Sequence, residues 1–265
     1  MNFDQARNVQ TLPFEGPVFS VCSLVTRGDQ YDRMLKSFAA HGLTTDNCEF
    51  IFVDNRSSNA HDAYGGLNAM VAKARGRYII CCHQDVELIG DGAAELLVRL
   101  EELTARDPLW AIAGNAGVGP AGRATRISDP YGENQHVGDL PARVHSLDEN
   151  LLVLRREHLV GFSADLAGFH LYGTDACLQA ELRGFSAYVI DFHLRHHSRG
   201  DADSTYFECA NRLEEKYGWA FRSRRVATTF KPLYITGNWW RAQFWRFKKW
   251  QRMRQIRRRR NQPAS

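Results

Sequence analysis

Apolar residues in this chain come in short blocks set apart by polar, glycine-punctuated intervals, and the spacing inside the blocks alternates between two kinds. "VFSVCSLV" (18–25) is an almost unbroken apolar run of strand length. "QYDRMLKSFAAHG" (30–42) has helical spacing and closes on Gly42. The pair then recurs: "CEFIFVDN" (48–55) predicts a second strand, "AYGGLNAMVAKARG" (63–76) a second helix and "RYIICC" (77–82) a third strand. Strands alternating with helices of about 10 to 15 residues predict βαβ units, an α/β fold with a parallel sheet covered on both faces.

Further along, "DGAAELLVRLEELTAR" (91–106) predicts an amphipathic helix and "LWAIAGNAGV" (109–118) a strand. From Gly119 to Val144 periodicity disappears among Gly, Pro, Asp and Arg, which predicts a long surface loop that orders on binding. "LLVLRREHL" (151–159), a helix in "TDACLQAELRGF" (174–185) and a strand in "SAYVIDFHL" (186–194) follow.

At 265 residues and 44% hydrophobic, the chain can bury a sizeable core. No run approaches the roughly 18 apolar residues of a membrane span. The start "MNFDQARNVQ" has neither a basic nor an apolar leader segment, and a cytoplasmic chain is expected. Cys22, Cys48, Cys81, Cys82, Cys177 and Cys209 form no CxxC pair, so they read as reduced core thiols. Charge changes the picture more. Residues 216–265 hold 15 of the 34 basic side chains and none of the 30 acidic ones, so a body at −11 precedes a strongly basic tail.

In an open sheet, ligands lie beyond the carboxyl ends of the strands. Three such ends are polar: Ser23 and Thr26 after the first strand, Asp54-Asn55-Arg56 after the second, His83-Gln84-Asp85 after the third. His83 and Asp85 are two apart, so on an extended chain both aim at one point while Gln84 looks away. A carboxylate placed so suits Mg²⁺ or Mn²⁺ shared with substrate phosphates.

"CEFIFVDNRSSN", "GRYIICCHQDVEL", "VHSLDENLLVLRRE" and "FHLYGTDACLQAELRGFSAYVIDFHLRHHSRG", in this order, resemble the family 2-type glycosyltransferases of the glycosyltransferase-A fold. Within these they are similar to the bacterial branch whose metal motif reads CHQDV, over roughly residues 16–217. The resemblance implies a Rossmann-like, mixed and mostly parallel sheet flanked by helices, with a catalytic domain over 1–236 and a tail over 237–265. It implies a Mn²⁺ or Mg²⁺ site at Asp85, with His83 as ligand or phosphate donor where the family usually has an aspartate. The ion would be completed by His196 or His197; strand parity favours His196. Asp54 would contact the nucleotide, with Ser23, Arg56 and Asn68 as weaker members of that pocket. Asp175 would be the catalytic base, and Asp148 and Glu149 would line the acceptor side. The implied reaction is inverting transfer from a nucleotide-diphosphate sugar, UDP by preference, to a hydroxyl of a glycan or lipid-linked acceptor. Rival readings are a metal-dependent phosphohydrolase or nucleotidyl transferase, and a transferase-like domain that only binds glycan.

"NWWRAQFWRFKKWQRMRQIRRRR" (238–260) predicts an amphipathic basic helix with Trp239, Trp240, Phe244, Phe247 and Trp250 in one arc, a pattern that Trp245 breaks. Aromatic anchors beside cations suit an anionic membrane surface and a peripheral placement. The acidic body argues against nucleic acid as the partner.

Overall fold

The computed structural model describes residues 14–200, 204–229 and 233–260. The chain opens with β1 (Phe19–Val25), α1 (Gly28–Ala40), β2 (Cys48–Asp54), α2 (Ala63–Lys73) and β3 (Tyr78–Cys82), the βαβ succession that the apolar blocks predict. It continues through β4 (Val86–Leu88), α3 (Ala93–Arg106), β5 (Trp110–Gly114), β6 (Ala116–Gly119), β7 (Gly122–Asp129), β8 (Gly132–Val137), β9 (Ala142–Val144), β10 (Ser146–Leu147) and β11 (Leu151–Arg155). Then come α4 (Tyr172–Leu182), β12 (Ser186–Val189), β13 (Leu194–His196) and α5 (Ser204–Phe221), followed by β14 (Arg224–Val226), β15 (Leu233–Ile235) and α6 (Trp239–Arg260).

The main sheet has the order β2-β1-β3-β11-β5-β12-β9. Five of its seven strands run one way, with β11 and β9 reversed, so it is mixed and mostly parallel. A second sheet, β10-β6-β7-β13-β4 with β8 beside β7, stands next to it. Every residue of β3 and β5 is buried, which is why both read as continuous apolar runs. Tyr31, Met34 and Phe38 of α1, and Leu96, Leu100 and Leu103 of α3, put helical-spaced side chains into one core with Phe19, Ile80 and Trp110. Helix starts are fixed by acids. Asp62 accepts from Gly65 N at 2.8 Å, and the Glu95 carboxylate from Gly92 N at 2.8 Å.

Three expectations give way. The stretch 119–144, expected as a loop, is largely strand: β7 and β8 form an antiparallel hairpin with register Thr125↔Val137, and β9 closes the main sheet on β12. The expected strand 109–118 breaks at Asn115 into β5 and β6, which belong to different sheets. The expected strand 186–194 likewise divides into β12 and the beginning of β13. The cysteines behave as expected. All six are free and buried, and burial pushes the Cys82 thiol up to about 12.

Two compact units result, residues 1–210 and 211–265, parting within α5. In the second unit, β14 and β15 pair antiparallel, and Tyr234 stacks on Trp245 of α6 with ring centroids 4.8 Å apart. Among the described residues no helix is long and apolar enough to cross a membrane.

Candidate metal centre and acceptor turn

β1 carries β2 on one side and β3 on the other, so the chain reverses its direction of winding between them and leaves a crevice at the carboxyl ends of β1 and β3. Gln84 spans it: its Oε1 accepts from Thr26 N and Arg27 N at 2.9 and 2.8 Å, and its Nε2 donates to Thr26 Oγ1 at 2.8 Å. That clasp holds the link between β3, in one sheet, and β4, in the other. His83 and Asp85 flank Gln84 on a turn, not on extended chain. They nonetheless converge, because His83 N donates to Asn150 O while β4 pairs antiparallel with β13 and sets His196 opposite Val86.

His83, Asp85 and His196 form a cluster whose ligand atoms all lie within 4.8 Å of one another. His83 Nδ1 is 3.1 Å from His196 Nε2, and Asp85 Oδ1 is 3.5 Å from the same nitrogen. Ser198 Oγ sits 3.0 Å from His196 Nε2, and Tyr172 Oη 2.9 Å from His83 Nε2. Burial alone would raise the Asp85 carboxyl, but hydrogen bonding from His196, with the charges of His196 and His83 and a bond from Ser198, holds it well below the usual carboxylate range. Burial and the neighbouring His196 push His83 down, which favours its neutral imidazole. Two imidazole nitrogens and one carboxylate oxygen fit a divalent transition ion such as Mn²⁺ better than Mg²⁺, which prefers oxygen throughout. Three protein ligands leave positions for phosphate oxygens and water.

Of the two candidate histidines, His197 is corrected. It is exposed, turned to the opposite face, and its Nε2 lies 3.1 Å from Glu87 Oε1.

The turn 148–150 joins the two sheets beside this cluster. Asp148 is exposed, and its Oδ1 accepts from Asn150 N and Nδ2 at 2.9 and 2.6 Å. Glu149 is largely buried, and its Oε1 accepts from Gly173 N at 3.2 Å at the start of α4. Desolvation, then the adjoining Asp148 charge, push Glu149 up to about 8 against the amides that favour its anion.

Asp175, expected as the base, is 0% exposed. Its Oδ2 accepts from Ser163 N and Gln179 Nε2 at 2.7 and 3.1 Å, and its Oδ1 from Ser163 Oγ at 2.6 Å. A closed-in carboxylate with both oxygens taken braces α4 against the 162–163 segment.

At the exit of β2, Asp54 and Arg56 are exposed and bound to each other, Nε to Oδ1 at 2.9 Å and Nη2 to Oδ2 at 2.8 Å. That pairing and the Arg56 amide bring Asp54 down to about 2. Ser23 and Asn68 are corrected. Ser23 is wholly buried between Met34 Sδ and Cys82 Sγ, and the Asn68 amide is spent on both backbone groups of Phe162. Tyr172, Gln84 and Ser198 were not singled out from the sequence, although each lies inside a quoted motif. The partners of Tyr172 and Gln84 are remote in the chain and only the fold brings them together, whereas Ser198 bonds His196 two residues before it.

No protein-family model matches the chain. Over 232 residues it is 40% identical to "ATP synthase subunits region ORF 6" of Fuscovulum blasticum, an alignment spanning 85% of this chain and 93% of that protein. Among solved structures it is similar to the mannosyltransferase PcManGT from Pyrobaculum calidifontis, in complex with GDP-Man and Mn²⁺, with TM-score 0.53 and 13% identity over 84% of this chain and 71% of that one. It is also similar to GalNAc-T7 with UDP, GalNAc and Mn²⁺, with TM-score 0.52 and 11% identity over 76% of this chain and 48% of that one. At such identities the likeness is one of fold, and the fold is glycosyltransferase-A.

Proposed function

We propose a function on this premise: the chain belongs to the family of the ATP synthase subunits region ORF 6 protein of Fuscovulum blasticum. That name states no activity, so the assignment rests on the fold and on this chain's own side chains. The protein is a metal-dependent, inverting glycosyltransferase that moves a hexosyl group from a nucleotide-diphosphate sugar, UDP by preference, to a hydroxyl of a glycan or lipid-linked acceptor. The observation that carries this is the convergence of His83, Asp85 and His196 within 4.8 Å at the crevice of a glycosyltransferase-A sheet.

His83, Asp85 and His196 would hold Mn²⁺. The ion supplies charge neutralisation for the departing diphosphate, a contribution of several kcal/mol. Asp54, preset by Arg56, faces the nucleotide at the exit of β2. Glu149 is the group assigned to the acceptor proton, since a carboxylate raised to about 8 is matched to that task near neutrality. As the acceptor oxygen bonds to the anomeric carbon, the carbon–oxygen bond to the diphosphate breaks on the opposite face. The nucleoside diphosphate leaves with the bonding pair, and Glu149 keeps the proton. Residues 238–260 would place the protein on the cytoplasmic face of an anionic membrane, near a lipid-carried acceptor.

The test is a thermal-shift comparison of wild type and Asp85→Asn with UDP and GDP sugars, with and without Mn²⁺. A ligand at about 100 times its Kd should raise the melting temperature by on the order of 5 °C. The rise should need Mn²⁺ and vanish in Asp85→Asn. A shift that survives both omissions overturns the metal site, and phosphate release without sugar transfer overturns the transferase in favour of hydrolysis.

A further inference from the structure

The cluster is supported from behind by a chain of hydrogen bonds that has a direction. Tyr172 Oη lies 2.9 Å from His83 Nε2 and donates to the backbone carbonyl of Glu149 at 3.3 Å. A carbonyl only accepts, so the single phenolic proton goes to Glu149. With the phenolic proton on that carbonyl, the His83–Tyr172 contact is filled by a proton on His83 Nε2. This leaves His83 Nδ1, 3.1 Å from His196 Nε2, with its lone pair turned into the cluster. The phenol is held for that task. Its ring is buried, edge-on to Tyr64 at 6.2 Å and to Phe162 at 5.8 Å between centroids.

We infer that Tyr172 is the positioning residue of the metal centre: it fixes His83 in the Nε2–H tautomer and ties the height of the 148–150 turn to the ion. The inference rests on the metal reading above and adds to it a residue at the start of α4. Tyr172 opens α4, and Gly173 next to it binds the Glu149 carboxylate at 3.2 Å. One hydroxyl therefore touches both a proposed metal ligand and the 148–150 turn. Displacing the turn should be felt at His83, and loading the ion at Glu149.

The experiment titrates Mn²⁺ into the full chain and follows the free-ion electron paramagnetic resonance signal for wild type, Tyr172→Phe and Tyr64→Phe. Losing a partner of this kind weakens metal affinity by about 10- to 100-fold. Tyr172→Phe should show that loss, whereas Tyr64→Phe, whose hydroxyl bonds His170 O at 3.1 Å, should stay near wild type. In parallel, nitrogen-15 chemical shifts of His83 in the metal-free wild-type protein should report the Nε2–H tautomer, a readout that needs no variant to fold. Wild-type affinity in Tyr172→Phe, or an Nδ1–H tautomer at His83, overturns the inference and leaves the metal site standing. Failure of the wild-type chain to bind Mn²⁺ overturns the metal reading and this inference with it.

Discussion

His196 and His197 are adjacent in the chain and have opposite surroundings, because a strand sends successive side chains to opposite faces. His196 is 8% exposed among His83, Asp85 and Ser198, and His197 reaches Glu87 at the surface. His196→Ala should therefore cost Mn²⁺ affinity more than the roughly 10- to 100-fold that loss of a mere supporting partner costs. His197→Ala should change it by less than about fivefold, the equivalent of an exposed pair of ~1 kcal/mol. Calorimetric titration of both variants checks the pair, and equal losses would reverse the assignment. Glu149 gives a pH signature. Its folded-state value of about 8 lies above the ordinary 4.5, so folding favours the protonated form. That contribution is complete below about pH 4.5 and is lost as pH rises through about 8. Glu149→Gln removes the dependence and should gain stability on wild type by on the order of a few kcal/mol between about pH 5 and pH 9, read from melting curves. Sugar transfer by wild type should rise over the same interval, and the variant should be slower by about 10²- to 10⁴-fold with no such rise. A gap in melting temperature that ignores pH would put the Glu149 carboxylate in solvent.

At the level of elements, what the sequence made legible was whatever is buried on both faces or wound with a helical stripe. β1, β3 and α3 announce themselves this way, with Ile79, Leu96, Leu100 and Leu103 all within 1% of full burial. β7 and β8 do not, because β8 is a polar ribbon, "GENQHV", with most of its side chains in solvent and β7 as its only partner among the described strands. The division at Asn115 is invisible for another reason: apolar residues flank it on both sides, and only the sheet change tells them apart. Site residues follow the same rule. The parity argument points to His196 and the motif order to Asp85, and the fold brings the two together with His83. The buried fates of Ser23, Asn68 and Asp175 depend on contacts with Met34, Phe162 and Ser163, which no local pattern encodes. The start of α4 is the tightest junction at the site. A Cβ on Gly173 would lie 2.4 Å from Leu147 O and 3.4 Å from Glu149 Oε1. Gly173→Ala must lift the helix start off β10 and should destabilise the protein by about 1–3 kcal/mol. Its Mn²⁺ affinity should fall as well, since Tyr172 moves with the helix. A variant melting within 1 °C of wild type, a shift too small for even ~1 kcal/mol, would show that the junction yields freely.

At the scale of the whole molecule, the charge division and α6 belong to one argument. Residues 216–265 carry 15 basic side chains and no acid, so this segment attracts an anionic surface from which the acidic body is repelled. α6 shows how the segment could meet it. Trp245, the residue that breaks the aromatic arc in the sequence, stacks on Tyr234 of β15 at 4.8 Å and so marks the side of the helix turned to the hairpin. The aromatics of the arc are exposed, Trp240 at 76%, Trp239 at 60%, Phe247 at 54% and Trp250 at 46%, and Trp245 itself keeps 44% of its surface open. A helix that rests one aromatic on the hairpin and leaves others exposed is the element we propose to meet the headgroup layer. Each basic side chain near such a surface adds about 1 kcal/mol, and the attraction fades as the Debye length contracts from ~10 Å at 0.1 M salt to ~3 Å at 1 M. The full chain should co-sediment with vesicles containing phosphatidylglycerol and not with phosphatidylcholine alone. Binding should fall steeply with added salt, and replacing Trp239, Trp240, Phe247 and Trp250 by Ser should abolish it. Because the residues proposed for catalysis lie in residues 1–210, that variant should keep transfer to a soluble acceptor while losing transfer to one embedded in the vesicle. Equal binding to neutral vesicles would assign the helix to apolar burial alone, and stronger capture by RNA than by anionic lipid would replace the membrane with a nucleic-acid partner.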